Sequence, residues 1–288
     1  MKRSPTLAPL AAPGGLVSRS GRPFPTDTQT LAARVHVESA GFGTPLVLLH
    51  GFAMHGGLFA PLLASLARAH RVHVVDLPGH GRSAPIARVD LTALANAVDA
   101  AIGVDTPVCV LGWSLGGQVA LQWALTHPGR VTRLVLVATT PSFVQREDWP
   151  HARSVEALAR FGDELRVSYR LTLQRFLSLQ VQGSEEGRAT LAELRERLFE
   201  RGEPSPATLA GVLALLRHVD LRPALARVTV PALVVAGDRD TLVPLEATLE
   251  LAAALPKATH VTIAGAAHAP FLSHRTAFLD AISPFTDG

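Results

Sequence analysis

An apolar run that ends in a glycine-framed serine and passes directly into a helical pattern constrains this chain more than any other feature. Residues 108–130 read VCVLGWSLGGQVALQWALTHPGR, with Ser114 between Gly112 and Gly116 in the spacing G-x-S-x-G. In so sharp a turn, side chains two residues before and after the serine would collide with neighbouring backbone, and glycine avoids the collision. The pattern therefore predicts a strand, a tight turn that carries the serine, and a helix.

Short apolar runs alternate with longer helical patterns along most of the chain. The runs are ARVHVES, PLVLLHG, RVHVVDLPG, PVCVLGWS, VTRLVLVATT, VPALVVAGD and ATHVTIAGAAH. Most are near-continuously apolar, which is typical of strands buried on both faces of a parallel sheet. Helices are predicted at residues 58–68, 90–102, 115–127, 245–255 and 274–283. The alternation predicts an α/β fold with a mostly parallel sheet flanked by helices.

One long segment interrupts the alternation. Residues 141–225 are rich in Arg and Glu, helical in period and without a convincing strand. The segment is too long for a connecting loop and too amphipathic for a linker. It is predicted to be a helical cap, or lid, inserted into a core formed by residues 33–140 and 226–288. Residues 1–32, with several prolines and glycines, are predicted to be a disordered N-terminal extension.

The composition argues against several classes of function. Apolar residues make up 48% of the 288 residues, which is enough for a large buried core. A formal charge of +3 without a run of Lys and Arg argues against a nucleic-acid partner. The single cysteine, Cys109, lies inside an apolar run, so neither a disulfide framework nor a cysteine metal site is expected. Without an apolar stretch of 18 residues, no membrane partner is expected and a cytoplasmic location is the default prediction.

A nucleophilic serine needs a base and an acid that orients the base. His268, in the stretch AGAAHAPF, follows the last predicted strand, where this architecture supplies the base. The stretch VVAGDRDTLVP closes the preceding strand with two candidate acids, Asp238 and Asp240, and spacing alone does not separate them. Serine, aspartate and histidine would then follow one another in the chain order of α/β-hydrolases.

An anion site made of backbone N–H groups would complete this chemistry. Leu115 follows the serine directly, and the loop HGFAMHGGLF offers the N–H of Phe52. No metal ion and no organic cofactor is required. The pair His70-x-x-His73 lacks a third ligand, so no metal site is expected there.

From about residue 33 to 283 the chain resembles the α/β-hydrolase family. The stretches LGWSLGG, ALTHPGRV, REDWP, QRFLSLQ, VDLRPAL and AAHAPFLSH look most like those of the methyl ester esterases of biotin synthesis. The resemblance implies the α/β-hydrolase fold, with the cap inserted between strands 6 and 7. It also implies a monomeric serine carboxylesterase, whose substrate is the methyl ester of a pimeloyl group on an acyl-carrier protein.

The resemblance assigns roles to the candidate residues. It implies Ser114 as the nucleophile, His268 as general base and then general acid, and Asp240 rather than Asp238 as the orienting acid. The residues that it implies for substrate binding are Phe52, Leu115, Phe176 and His268. At Phe52 the chain departs from the tryptophan expected in the close family.

The resemblance also implies that arginines of the cap hold the acidic carrier protein. The positions that match are Arg170, Arg175 and Arg188. Residues 141–225 contain equal numbers of arginines and acidic residues, so the cap is neutral overall and carrier binding requires a local patch.

Two other kinds of function remain open from the sequence. Another hydrolase on the same scaffold, such as a general short-chain carboxylesterase, an enol-lactonase or a carbon–carbon bond hydrolase, would differ in its cap and pocket. A catalytically silent hydrolase fold would serve as a binding module. The presence of Ser114, Asp240 and His268 in this order argues against the silent fold, because such a scaffold has no physical need for all three.

Overall fold

The strands of the structure, a computed structural model, match the runs that the sequence predicts. The structure describes residues 34–103 and 105–288, so the disordered extension predicted for residues 1–32 lies outside the described residues. The described strands are β1 (Val37–Ala40), β2 (Thr44–Leu49), β3 (His70–Val75), β4 (Val108–Trp113), β5 (Val131–Val137), β6 (Ala232–Gly237) and β7 (Ala258–Ile263).

The described strands form one sheet in the order β1-β3-β2-β4-β5-β6-β7. β1 runs antiparallel to β3, and the other pairs are parallel. The register aligns Leu49 with Gly112 and Trp113 with Val137, so the carboxyl ends of β2, β4 and β5 meet at one edge. Every residue of β4 and β6 is buried, because helices cover both faces of the sheet. The predicted fold class is confirmed.

Helices flank the sheet and form the cap. The described helices are α1 (Ala60–Leu66), α2 (Leu91–Ile102), α3 (Leu115–Thr126), α4 (Val155–Val167), α5 (Tyr169–Gln180), α6 (Gly187–Arg197), α7 (Pro206–His218), α8 (Leu245–Ala254), α9 (Pro270–Ser273) and α10 (Arg275–Asp287). α2 illustrates the local signals: Asp90 caps its first turn by accepting the N–H of Ala93, and Gly103 ends it with a φ of 59°. None of these helices is long and apolar enough to cross a membrane.

The cap helices α4 to α7 lie between β5 and β6. The cap is thus inserted after the fifth described strand, and not between strands 6 and 7 as expected. The difference lies in the numbering of the strands, because five of the seven apolar runs in the sequence and five of the described strands precede the cap.

A buried ion pair fixes the cap to the loop after β3. Arg201, which follows α6, donates to both carboxylate oxygens of Asp76 at 3.2 and 3.3 Å and pairs with Glu38. His55 contributes a second link, because its Nε2 donates to the carbonyl of Arg197 at 2.8 Å. The described residues of the cap and of the sheet belong to one compact unit.

Candidate active site

Ser114 lies in a strained turn between β4 and α3. Its φ of 56° and ψ of −117° are rare for a residue with a side chain, and such strain persists only where the surroundings enforce it. The neighbouring strand does so here: the N–H of Ser114 donates to the carbonyl of Val137 at 2.9 Å. The hydroxyl of Thr139 donates to the carbonyl of Ser114 at 2.7 Å. The strand, turn and helix predicted from the sequence are present.

The two glycines of the motif allow backbone to approach closely. A Cβ on Gly112 would lie 2.3 Å from the carbonyl oxygen of Gly116, across the turn itself. A Cβ on Gly116 would lie 2.2 Å from the carbonyl oxygen of Leu49, at the end of β2. The turn therefore needs glycine both for its own geometry and for its packing against the next strand.

We expect Gly116→Ala to lower the free energy of unfolding by about 3 kcal/mol, because the new methyl group would overlap backbone that moves only with the sheet. Denaturant unfolding followed by circular dichroism measures the change. Gly211→Ala is a suitable control: its Cβ would first meet the Val89 side chain, at 3.3 Å. Equal stability of the two variants would contradict the predicted overlap.

His268 and Asp240 form a buried hydrogen-bonded pair. Nδ1 of His268 lies 2.7 Å from Oδ2 of Asp240, and the two side chains are 3% and 1% exposed. The other oxygen of Asp240 accepts the N–H groups of Leu242 and Val243, at 2.8 and 3.0 Å. Because an ionised carboxylate only accepts hydrogen bonds, Nδ1 carries the proton and Nε2 is left available as a base.

Asp238, the other candidate acid, has a different partner. Its Oδ1 accepts the N–H of Gly265 at 2.7 Å, and so it holds the turn that follows β7. The carboxylate of Asp238 faces Gly265, and that of Asp240 faces His268. The geometry therefore separates two residues that spacing left equivalent.

The loop that carries His268 is tied to the serine turn and to the cap. The indole N–H of Trp113, the residue before Ser114, donates to the carbonyl of His268 at 2.8 Å. The N–H of His268 donates to the carbonyl of Gln180 at the end of α5, at 3.0 Å. Sequence reasoning missed these roles of Trp113 and Gln180, because no local pattern signals a contact between residues so far apart in the chain.

The candidate anion donors, Phe52 and Leu115, follow the neighbouring strands β2 and β4. Leu115 is the first residue of α3, so its N–H is one of those that no helical carbonyl can accept. The N–H of Phe52 and the carbonyl of Gly51 belong to the same peptide bond. That carbonyl accepts the Nδ1–H of His50 at 2.8 Å and the N–H of Met54 at 3.2 Å. Since carbonyl and N–H point in opposite directions in a trans peptide, these two bonds also fix the direction of the Phe52 N–H.

His50 is held in one neutral tautomer beneath this loop. Its Nε2 accepts the N–H of Leu77 at 2.9 Å, which leaves the proton on Nδ1. Burial is the main cause that lowers the pKa of His50 to about 3, and the neighbouring His80 lowers it further. The hydrogen bond to Gly51 is therefore kept over the whole neutral range of pH.

Ser114 and His268 line one cavity between the sheet and the cap. The cavity encloses about 670 Å³, part of it open to solvent, and its aliphatic and aromatic wall residues are Phe52, Phe143, Ala157, Leu158, Phe161, Phe176, Leu179, Leu213, Leu216 and Leu242. The rings of Phe52, Phe161 and Phe176 contact one another, with centroids 5.3 to 5.9 Å apart. Of the expected substrate-binding residues, Phe52, Phe176 and His268 line this cavity. Leu115 is fully buried and does not.

Most of the cavity wall was missed by sequence reasoning. The helical period of the cap predicts only that its apolar residues face inward, and it does not show which of them reach the serine.

The expected carrier contacts lie on the outer surface of the cap. Arg170 donates to Glu203 at 2.5 Å, and Arg175 lies 3.9 Å from a carboxylate oxygen of Glu164. Arg188 is exposed and has no ion-pair partner among the described residues. None of the three lines the cavity.

A glycine-framed strained serine, a buried histidine–aspartate pair and a mostly parallel sheet together define an α/β hydrolase. The family model of the alpha/beta hydrolase fold matches residues 44–275, and the chain belongs to this family. A curated relative from Xanthomonas oryzae pv. oryzae, named pimeloyl-[acyl-carrier protein] methyl ester esterase, is 48% identical over 253 residues. That alignment covers 87% of this chain and 98% of the relative.

Further relatives agree with this result. A protein of the same name from Xylella fastidiosa is 44% identical over 256 residues, which cover 87% of this chain and 98% of that protein. Among solved structures, an esterase from Exiguobacterium antarcticum has a TM-score of 0.81 at 25% identity, covering 89% of this chain and 96% of that one. The family resemblance drawn from the sequence is confirmed.

Proposed function

We propose that this chain is a serine carboxylesterase that hydrolyses the methyl ester of pimeloyl-[acyl-carrier protein] to the free acid and methanol, in biotin synthesis. The observation that carries the proposal is the 2.7 Å contact between His268 and Asp240, in a cavity that Ser114 also lines. Near-complete coverage of relatives that bear this name supports the choice of substrate.

The proposed reaction is acyl transfer through a covalent intermediate. Oγ of Ser114 attacks the ester carbonyl while Nε2 of His268 takes its proton, and Asp240 stabilises the imidazolium through Nδ1–H. The N–H groups of Phe52 and Leu115 receive the negative oxygen of the tetrahedral intermediate. His268 returns the proton to the leaving methanol, and a water activated by the same histidine then releases the acid. The chemistry needs no metal ion or organic cofactor.

The wall of the cavity suits an aliphatic acyl chain. Its aliphatic and aromatic side chains, including the ring cluster of Phe52, Phe161 and Phe176, can cover methylene groups but offer them no polar partner. A pimeloyl chain is a row of methylene groups between two carbonyl carbons. The cavity therefore favours an ester whose polar ends lie at the serine and outside the cavity.

We propose the exposed arginines Arg170, Arg175 and Arg188 of the cap as contacts for the acidic carrier protein. Arg170 and Arg175 face Glu203 and Glu164 in exposed ion pairs, which are weak enough to exchange for carboxylates of a partner. A monomer and a cytoplasmic location belong to the same proposal.

Hydrolysis of methyl pimeloyl-[acyl-carrier protein], compared with that of short p-nitrophenyl esters, tests the function. We expect wild-type protein to cleave the carrier-bound ester with the higher kcat/KM, and Ser114→Ala to cleave neither. Methanol release and chromatography of the acyl-carrier protein measure the reaction. Cleavage of free short esters alone would indicate a general short-chain carboxylesterase. Without serine-dependent turnover of either, another hydrolase chemistry or a silent binding module would replace the proposal.

A further inference from the structure

Among the described residues, one guanidinium lies in the wall of the cavity, that of Arg153. Arg153 and His268 are the ionisable residues among those that line it, and the other lining residues are Ser114 and apolar side chains. His268 is buried, whereas Arg153 is an exposed residue. Arg153 therefore lies where the cavity opens to solvent. A substrate group at this opening would lie beside a positive charge.

Backbone hydrogen bonds hold Arg153 in place at the start of the cap. Its N–H donates to the carbonyl of Phe143 at 3.1 Å, and its carbonyl accepts the N–H of Gln145 at 2.8 Å. The next residue, Ser154, caps α4. The position of Arg153 thus does not depend on its side chain.

The guanidinium of Arg153 has no hydrogen-bond or ion-pair partner among the described residues. Many other arginines of the cap do have one: Arg170 is paired with Glu203, Arg201 with Asp76, and Arg222 with Asp220. Guanidinium groups bind carboxylates and phosphates well, because their N–H donors match two oxygens at once. A guanidinium without a partner among the described residues, at the mouth of a mostly apolar cavity, is suited to such an anion.

We propose that Arg153 binds a negatively charged group of the substrate that lies distal to the ester, and that it thereby selects esters with an anionic distal end. This inference deepens the proposed function, since it takes the reacting ester to lie at Ser114 and His268. The shared chemistry is an oxyanion. It is supplied by a carboxylate at the end of a free dicarboxylic monoester, or by the phosphate of the pantetheine arm that carries an acyl group.

Two pairs of esters, each matched except for charge, test the proposal and separate the sources. The first pair is mono-p-nitrophenyl pimelate and p-nitrophenyl heptanoate, which differ by the distal carboxylate. The second pair is methyl pimeloyl 4′-phosphopantetheine and methyl pimeloyl pantetheine, which differ by the phosphate. We expect wild-type protein to prefer the anionic member of at least one pair by about fivefold in kcat/KM, as is typical of an exposed ion pair.

Arg153→Gln is expected to abolish this preference, by lowering kcat/KM for the anionic ester to about that of its neutral partner. Arg153→Lys should retain part of it. The control is Arg160→Gln, which removes the same charge from an exposed position of α4 outside the cavity wall and should leave the preference intact. If Arg153→Gln loses its preference within the p-nitrophenyl pair, the anion is the distal carboxylate. If it loses its preference within the pantetheine pair, the anion is the phosphate.

A wild-type protein without preference in either pair would overturn the inference, and so would an Arg153→Gln variant that behaves like Arg160→Gln. The p-nitrophenyl pair reports on Arg153 whether or not carrier-bound esters are substrates. If anion preference depends on Arg153 but methyl pimeloyl-[acyl-carrier protein] is not cleaved, the proposed function fails and this inference stands.

Discussion

Replacing Ser114 with alanine is expected to lower kcat/KM for ester hydrolysis by about 10⁴- to 10⁶-fold while leaving the fold intact. The loss is large because the hydroxyl forms the covalent bond, and His268 has no other nucleophile to activate in this position. Alanine keeps the same backbone restrictions as serine at a φ of 56°, and the bonds to Val137 and Thr139 involve only the backbone of Ser114. The thermal midpoint is therefore expected to change little.

Steady-state kinetics with a p-nitrophenyl ester, together with labelling by a serine-directed phosphonate, measure this loss. Wild-type protein should be labelled once per chain and Ser114→Ala not at all. Ser178→Ala is the control, because the hydroxyl of Ser178 donates to the carbonyl of Gln174 within α5 and lies outside the cavity wall. Retained labelling in Ser114→Ala would place the nucleophile elsewhere and remove the basis of the proposed mechanism.

Structural features that depend on residues close together in the sequence could be predicted from it. β4 and β6 are buried on both faces, and this burial produces the continuous apolar runs by which they were found. α2 begins directly after Asp90 and ends directly before Gly103. The carboxylate of Asp90 caps the first turn, and glycine readily adopts the positive φ that ends the helix. The turn at Ser114 is specified by five consecutive residues, Gly112 to Gly116, so the strand before it and the helix after it could be predicted from the motif.

Features that depend on distant residues could not be predicted. The indole of Trp113 meets the carbonyl of His268 across 155 residues of chain, and Arg201 reaches Asp76 across 125. Neither contact has a local signal, because folding alone brings the partners together. The same is true of the cavity wall. An amphipathic helix must bury its apolar face, but its sequence does not say whether that face covers a core or a substrate.

For Asp238 and Asp240, the sequence predicted part of the site and left part of it open. Both follow β6 within three residues, and local pattern could not distinguish them. The difference arises from their partners. The carboxylate of Asp238 accepts a hydrogen bond from the N–H of Gly265. One oxygen of Asp240 accepts the N–H groups of Leu242 and Val243, and this orients the carboxylate so that its second oxygen faces the imidazole of His268.

Asp240→Asn is expected to lower kcat about 10⁴-fold, and Asp238→Asn to change it by less than about threefold. In the first variant the N–H groups of Leu242 and Val243 require an acceptor, so the amide oxygen replaces Oδ1 and the NH₂ group faces His268. Nδ1 must then accept, which moves the proton of the ring to Nε2, the atom that has to receive the proton of Ser114. A histidine in this tautomer cannot act as the base.

The two variants remove the same charge from positions two residues apart, and each can keep its backbone hydrogen bonds. A general effect of charge or of loop stability would therefore change both activities alike. Thermal midpoints and phosphonate labelling rates, measured beside kcat, distinguish a misfolded loop from a wrong tautomer: the wrong tautomer slows labelling of Ser114 while the midpoint stays close to that of wild type. If Asp238→Asn showed the larger loss, Asp238 would have to reach the imidazole in solution, and the 2.7 Å contact of Asp240 would not describe the active state.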